Sequence, residues 1–314
     1  MRRLIEFLNL TVPKLGYYLR EPSLWCFIPL GDREFVNVMF AEEDPSLLIT
    51  DTQEINLGGV KTNVRFSSNF DNQDNICYTT YVPRIDTIIQ IAIQSHINSL
   101  FHYSGPNDLD FNTVVYKNIL PGIRNVKNTF IRGHRIDMKV LEGHFTRYPN
   151  HDSVKIEALV EGEIAEDSKI WNIERLCILN QAAGRFIRRF TGQHLYLYNV
   201  HATAADVVYL LEEWVSNRGY QNLKTLNISW MFRQYAAFRE IMNRNRFKIK
   251  RYNPRNPSSR PSHFKYDPQI ICVSTNDIKI RKRSFGEIKR IDGKRAFLQC
   301  GVQKITLLVS DDPE

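Results

Sequence analysis

Three histidines, His134, His144 and His151, form a local cluster whose side chains could bind a metal ion or carry protons. They stand at intervals of ten and seven residues and are mixed with acidic residues. These intervals match neither one face of a helix nor the short spacing of a zinc-ligand pair. We therefore expect solvated histidines in loops and at strand edges, and no metal site.

Other reactive side chains also fit structural roles better than catalytic ones. Cys177 occupies an alternating position in an apolar segment, which favours a core thiol over a nucleophile. The glutamates at 161, 163, 166, 212 and 213 are typical of solvated faces. The chain has no glycine-rich nucleotide motif, no G-x-S-x-G and no H-E-x-x-H. We predict a non-enzymatic protein with no catalytic residue and no cofactor.

A basic loop at about 243–266 carries the strongest local charge. Residues 233–265 contain ten lysines or arginines and the single acid Glu240. The candidate partner-binding residues in this region are Arg244, Arg246, Lys248, Lys250 and Arg251. Interleaved Phe247 and Tyr252 could stack on bases, so nucleic-acid binding is the alternative function. The same pattern is also typical of a solubilising loop, or one that meets acidic proteins, with aromatics that anchor it to the core.

The composition narrows the class of protein. The chain has 314 residues, a net charge of +8, 43% hydrophobic and 24% charged residues, values that are ordinary for a globular protein. No run of about 18 apolar residues occurs, so neither a membrane span nor a membrane partner is expected. The five cysteines are scattered and odd in number, which favours a reducing compartment, cytoplasmic or nuclear.

The elements that must position any site are clearest in residues 194–230. Thr203 and Asp206 have the spacing of a helix cap. The helix that follows carries an apolar face, and Gly219 is predicted to end it in a left-handed conformation. A second strand follows the helix, so residues 194–230 are predicted to form a βαβ unit with parallel strands. The motif residues are Thr203, Asp206, Leu210, Leu211, Trp214, Leu223, Leu226 and Ile228.

The spacing of Leu223, Leu226 and Ile228 is typical of leucine-rich-repeat strands, and Ile173, Leu176 and Ile178 show it 50 positions earlier. The repeat predicts stacked units, with a short helix over 181–190 between strands. An ordinary βαβ core that contributes only stability remains the alternative. We predict a mixed α/β (α+β) fold with leucine-rich-repeat-like βα units and additional antiparallel strands.

The flanking segments complete the expected organisation. Alternating apolar residues predict strands between 24 and 82 and over 135–163, and an apolar stripe predicts a helix after Pro83. A mixed helix is expected over 232–242. Asp292 and Gly293 predict a tight hairpin turn within a C-terminal β-hairpin region at about 268–310. Residues 19–314 are expected to form a single mixed body.

Three stretches resemble the type 2 F-box-associated domain family, which is abundant in nematodes. The sharpest is the capped helix with its Trp214 and the leucine-spaced strand, within a core at about 165–235. The segments 288–299 and 305–309 are similar to the basic hairpin and closing strand that end such proteins. Residues 2–18 are similar to the junction between the F-box and the body.

The resemblance implies a substrate-recognition subunit of a cullin-RING ubiquitin ligase. In such proteins an F-box binds a Skp-type linker and the associated domain binds a target protein. Residues 1–18 correspond only to the last F-box helix and its linker, because a complete F-box needs roughly 40–50 residues of packed helices. We expect an unknown target protein as partner, and the Skp-type linker only if an F-box lies upstream.

Overall fold

The computed structural model describes residues 12–20, 23–29, 35–43, 52–70, 76–113, 120–243, 247–251, 263–264, 278–279 and 285–310. The chain divides into two compact units, Met1–His151 and Asp152–Glu314. The sequence predicted a single mixed α/β body over residues 19–314. Both units combine a sheet with a few helices, which confirms the mixed α/β class. None of the described helices is long and apolar enough to cross a membrane.

The first unit is built on a mixed sheet. The strands of this unit are β1 Leu15–Arg20, β2 Ser23–Pro29, β3 Phe35–Glu43, β4 Gln53–Leu57, β5 Val60–Phe70, β6 Ile76–Val82, β7 Asn107–Asn112, β8 Val126–Arg132 and β9 Arg135–Asp137, all but β9 in this sheet. The order in the sheet is β8-β7-β1-β2-β3-β6-β5-β4. β1, β7 and β8 are parallel to one another, and β3 is parallel to β6. The strands expected between 24 and 82 are confirmed.

Helix α1, Thr87–Leu100, follows Pro83 as expected. The Asp86 carboxylate caps it by accepting from the backbone N–H groups of Ile88 and Ile89, both at 3.0 Å. On its buried side, Gln94 accepts from the Arg124 N–H at 2.7 Å and donates to the Arg124 carbonyl at 2.8 Å. These side-chain bonds fix the loop before β8 and leave fewer buried backbone groups without partners.

The prediction of strands throughout residues 135–163 is wrong in one stretch, because Met138–Arg147 forms helix α2. Asp137 caps this helix by accepting from the Lys139 N–H at 2.7 Å. Its buried residues Met138, Leu141 and Phe145 follow helical intervals of three and four. Before this helix, only the three residues of β9 form a strand, whereas Ser153–Ile156 and Leu159–Glu161 are strands as predicted.

The second unit has strands β10 Ser153–Ile156, β11 Leu159–Glu161, β12 Arg175–Leu179, β13 His194–Val200, β14 Thr225–Trp230, β15 Lys250–Arg251, β16 His263–Phe264, β17 Ile278–Lys279, β18 Phe285–Lys289, β19 Arg295–Cys300 and β20 Lys304–Val309. Its helices are α3 Gly184–Arg189, α4 Ala204–Val215 and α5 Tyr235–Ile241, with a 3₁₀ turn at Lys169–Asn172. The sheet order is β10-β12-β13-β14-β20-β19-β18-β15. The first four strands are parallel, and β20, β19, β18 and β15 continue the sheet antiparallel.

The βαβ prediction for residues 194–230 is confirmed, because β13 and β14 are parallel neighbours joined by α4. Thr203 and Asp206 form a reciprocal capping box at the start of α4. The predicted end of the helix is wrong in detail. Asn217 takes the left-handed conformation, with φ of 57°, whereas Gly219 is not among the residues with positive φ.

The leucine-spaced strands align in register. Leu176 of β12 pairs with Leu195 of β13, which pairs with Leu226 of β14. The next inward positions, Ile178, Leu197 and Ile228, align in the same way, and all six side chains are fully buried. β13, the first strand of the predicted βαβ unit, therefore lies between the two segments that share the leucine-rich-repeat spacing.

The C-terminal hairpin packs on the end of α4. β18 and β19 pair antiparallel around Asp292 and Gly293, as expected. The Ile291 N–H donates to the Val215 carbonyl at 2.9 Å, and the Arg290 guanidinium lies 5.6 Å from the Trp214 ring centroid. Two of the segments that carry the family resemblance thus contact each other.

Candidate functional site

The histidines do not form the solvated cluster expected from the sequence. His134 is exposed, but His144 is completely buried and His151 is half-buried. The Thr129 hydroxyl lies 3.1 Å from His144 Nε2 and 2.9 Å from His151 Nε2. Burial, followed by the positive charges of His151 and Arg147, holds the pKa of His144 well below its usual value. The prediction fails for His144 because it lies on the core side of a helix that was predicted as strand.

Thr129 with His144 and His151 combines a hydroxyl and imidazoles, the groups that can act as a nucleophile and its base. Thr129 and His144 are both 0% exposed, so a substrate cannot reach the hydroxyl in this conformation. Phe111 and Phe145 pack against the His144 ring. The cluster is therefore a buried polar contact within the core of the first unit.

The other candidate catalytic residues have structural surroundings. Cys177 is fully buried beside Tyr196, as the sequence predicted. Glu213 forms an ion pair with Arg218 at 2.7 Å, and Glu166 forms one with Arg189 at 3.0 Å. Within the described ranges, no group of three or more His, Cys, Asp or Glu side chains could hold a metal ion.

The predicted basic partner-binding residues are only partly described. Arg244 and Arg246 lie outside the described residues, and of Arg251 only the backbone, in β15, is described. Lys248 and Lys250 are exposed, but Phe247, directly before Lys248, is 3% exposed. The Phe247 ring therefore anchors this segment to the core and is not available to stack on a base.

A different surface stands out at the carboxyl ends of β13 and β14. Phe232 and Tyr235 are 63% and 52% exposed there, and His201, Arg233 and Arg239 are exposed beside them. We call these five residues the aromatic–arginine surface. Exposed aromatic and arginine side chains are the types most enriched at the centres of protein interfaces.

Backbone hydrogen bonds to neighbouring strands and turns fix the chain segments that carry this surface. The Met231 N–H donates to the Val200 carbonyl at 3.2 Å, and the Gln234 N–H donates to the Val302 carbonyl at 2.7 Å. The His201 N–H donates to the Gln181 carbonyl at 3.1 Å. Because the chain is fixed before binding, little backbone entropy is lost when a partner docks.

The side chains of the surface form two contacting pairs. The His201 and Phe232 rings have centroids 5.9 Å apart, and Arg233 Nη1 donates to the Tyr235 hydroxyl at 3.3 Å. Tyr235 and Arg239 are four residues apart on α5 and therefore neighbours on one helical face. The surface offers apolar rings, guanidinium donors and an imidazole, a set suited to binding.

A small pocket of about 250 Å³ lies beside Trp171 in the same unit. It is smaller than the roughly 300–1,000 Å³ typical of ligand pockets. The Arg189–Glu166 ion pair lies at its rim, and Trp171 itself is only 4% exposed. The one aromatic ring that lines the pocket is therefore largely inaccessible to a ligand.

Sequence reasoning missed the aromatic–arginine surface. It assigned 232–242 to one helix, whereas α5 begins at Tyr235. The signal was present in the run Trp230-Met-Phe-Arg-Gln-Tyr235, where aromatic residues and an arginine directly follow a buried strand. Residues that follow parallel strands collect at one edge of the sheet, where binding sites of α/β proteins commonly lie.

Comparison with known proteins adds no assignment, because the chain matches no family model, no curated protein and no solved structure.

Proposed function

We propose that this chain is a non-enzymatic protein-interaction module that binds a target protein through the aromatic–arginine surface. The observation that carries the proposal is the exposure of Phe232 and Tyr235 on a backbone fixed by hydrogen bonds. Exposed apolar rings cost free energy in water, and a partner that covers them recovers it. The enclosed Thr129–His144 contact and the small pocket beside Trp171 offer no comparable binding surface.

The proposal includes a leucine-rich-repeat-like arrangement of the second unit. In support, β10, β12, β13 and β14 lie next to one another in chain order and are parallel. Leucine-rich-repeat proteins stack their units in the same way and bind partners on surfaces formed by successive repeats. A target that docks at the carboxyl ends of β13 and β14 would contact two adjacent βα repeats of the second unit.

The family resemblance extends the proposal to substrate recognition for a cullin-RING ubiquitin ligase. The residues that carry it, Trp214 and the 288–299 hairpin, pack together in the scaffold. They support the binding surface without forming it. Co-purification of a Skp-type linker with the chain tests this role separately from target binding.

Affinity purification with quantitative mass spectrometry tests the proposal. The double variant Phe232→Ala/Tyr235→Ala is compared with wild type, with Ile291→Ala as a matched control because Ile291 is 74% exposed outside this surface. Loss of interface hot spots costs about 2 kcal/mol or more, roughly a 30-fold loss of affinity. We expect the double variant to lose its specific partners and the control to retain them. Equal recovery from all three proteins would refute target binding at this surface.

A further inference from the structure

Among the arginine side chains that the structure describes in the second unit, all are paired except two on the aromatic–arginine surface. Those that lie within 3.1 Å of a carboxylate oxygen are Arg175, Arg188, Arg189, Arg218, Arg290 and Arg295. Arg185 instead donates to the carbonyls of Val160 and Gly162.

Arg233 and Arg239 differ from this pattern. Arg233 donates to the Tyr235 hydroxyl, and no carboxylate among the described residues pairs with either guanidinium. Both are exposed. The nearest acid in sequence, Glu240, is on the same helix and has a contact of its own. Two guanidiniums are therefore left with free donors next to the two exposed rings.

We propose that the partner of this surface is an acidic protein segment that places an apolar side chain between Asp or Glu residues. The inference rests on the proposed function and specifies its partner. A guanidinium binds a carboxylate through two parallel hydrogen bonds, which gives direction as well as charge. The apolar side chain covers Phe232 and Tyr235, while the flanking carboxylates pair with Arg233 and Arg239.

A protein segment fits the surface better than a nucleic acid. Binding to a nucleic-acid backbone is dominated by many phosphate contacts, commonly six to ten. The surface offers two guanidiniums that no described carboxylate pairs with, and the Phe232 ring already contacts the His201 ring, with centroids 5.9 Å apart. Two carboxylates and one apolar side chain match this small, mixed set of groups.

Selection from a random linear peptide library on the immobilised full-length chain tests the inference. We expect the enriched peptides to contain an excess of Asp and Glu around an apolar residue. The charge reversal Arg233→Glu/Arg239→Glu should weaken binding of these peptides by at least about tenfold. Lys139→Glu/Lys169→Glu, which reverses two exposed cations outside the surface, should change it by less than about threefold. Circular dichroism and thermal unfolding of each variant verify the fold.

The outcomes separate this inference from the proposed function. Enriched peptides that depend on Phe232 and Tyr235 but have no acidic excess would overturn the acidic partner and leave target binding intact. Equal losses in the Arg233→Glu/Arg239→Glu and Lys139→Glu/Lys169→Glu variants would attribute the effect to net charge and also overturn the inference. Absence of any peptide that depends on Phe232 and Tyr235 would count against both. Displacement of the acidic peptides by a single-stranded RNA oligonucleotide at physiological salt would favour nucleic acid as the occupant.

Discussion

Trp214 is one of the largest completely buried side chains in the protein, and it lies on the inner face of α4. Its substitution tests whether this helix contributes stability rather than binding. We expect Trp214→Ala to lower the free energy of unfolding by about 3–5 kcal/mol, because a large cavity replaces the indole and its contact with Arg290. Urea or thermal unfolding provides the measurement.

Tyr209 on the same helix is a matched control, since it is 37% exposed and contacts Arg188. Tyr209→Ala should cost less than about 1 kcal/mol. An unchanged melting temperature in Trp214→Ala would mean that α4 is not packed as described.

His144 makes the stability of the first unit depend on pH. The folded protein holds the pKa of His144 below the 6.5 typical of an accessible histidine, first because of burial and then because of His151 and Arg147. In an unfolded chain the imidazole takes up a proton more readily. The unfolded state therefore binds more protons, and stability rises with pH.

We expect the contribution of His144 to be fully present above pH of about 6.5 and to be lost progressively as the pH falls below that value. Urea unfolding between mildly acidic and mildly alkaline pH measures this dependence. His144→Gln, which keeps a polar side chain but cannot take up the proton, should flatten the pH profile. The same steep profile in this variant would exclude His144 as its cause.

At the scale of elements, the stacking of β12, β13 and β14 requires a close approach at Gly192. This residue lies two positions before His194, as Ile173 lies two before Arg175 and Leu223 two before Thr225. A Cβ at position 192 would lie 2.0 Å from the Ile173 carbonyl oxygen and 2.6 Å from the Phe190 ring. No side chain fits there without a shift of the backbone.

We expect Gly192→Ala to lower the free energy of unfolding by about 1–3 kcal/mol, the usual cost of overpacking. Gly219→Ala is the matched control because a Cβ there would meet its nearest atom, Glu213 Cβ, at an ordinary 3.4 Å. Its φ is not positive, so alanine should be neutral or raise stability by up to about 1 kcal/mol. Equal unfolding curves for Gly192→Ala and wild type would contradict the close approach.

The same glycine explains why the leucine-rich-repeat spacing was recognised in β12 and β14 but not in β13, which was predicted only as the first strand of the βαβ unit. The spacing requires apolar residues at three fixed positions, and β13 has Gly192 where the other two strands have Ile173 or Leu223. A shared feature was missed as well. Asn180 directly follows β12 and Asn199 is the next-to-last residue of β13, and both take positive φ of 55°. Asparagine tolerates this conformation better than most residues.

Local sequence signals correctly predicted the elements that are determined by a few neighbouring residues. The capping box at Thr203 and the hairpin at Asp292 depend on a few neighbouring residues, so the sequence was sufficient. The aromatic–arginine surface depends on hydrogen bonds from Met231 and Gln234 to distant strands and turns. The spacing of residues along the chain does not reveal these long-range contacts. Phe232 was therefore predicted to belong to an ordinary helix.

At the scale of the whole molecule, the net charge of +8 and the pI of about 9.2 attract polyanions without requiring a specific site. Exposed cations such as Lys248 and Lys250 contribute to this attraction. A charge-driven interaction weakens steeply with salt, whereas burial of Phe232 and Tyr235 by a partner does not. Ionic strength therefore distinguishes general charge attraction from recognition by the surface.

We expect a labelled single-stranded oligonucleotide to bind at low salt and to be released near physiological ionic strength, where screening limits charge interactions to about 8 Å. Fluorescence anisotropy across a salt series measures this. Lys248→Ala/Lys250→Ala should weaken the low-salt binding, and Phe232→Ala/Tyr235→Ala should leave it unchanged. If the oligonucleotide instead remained bound at physiological salt and depended on Phe232, the aromatic rings would be stacking on bases, and nucleic acid would replace protein as the proposed target.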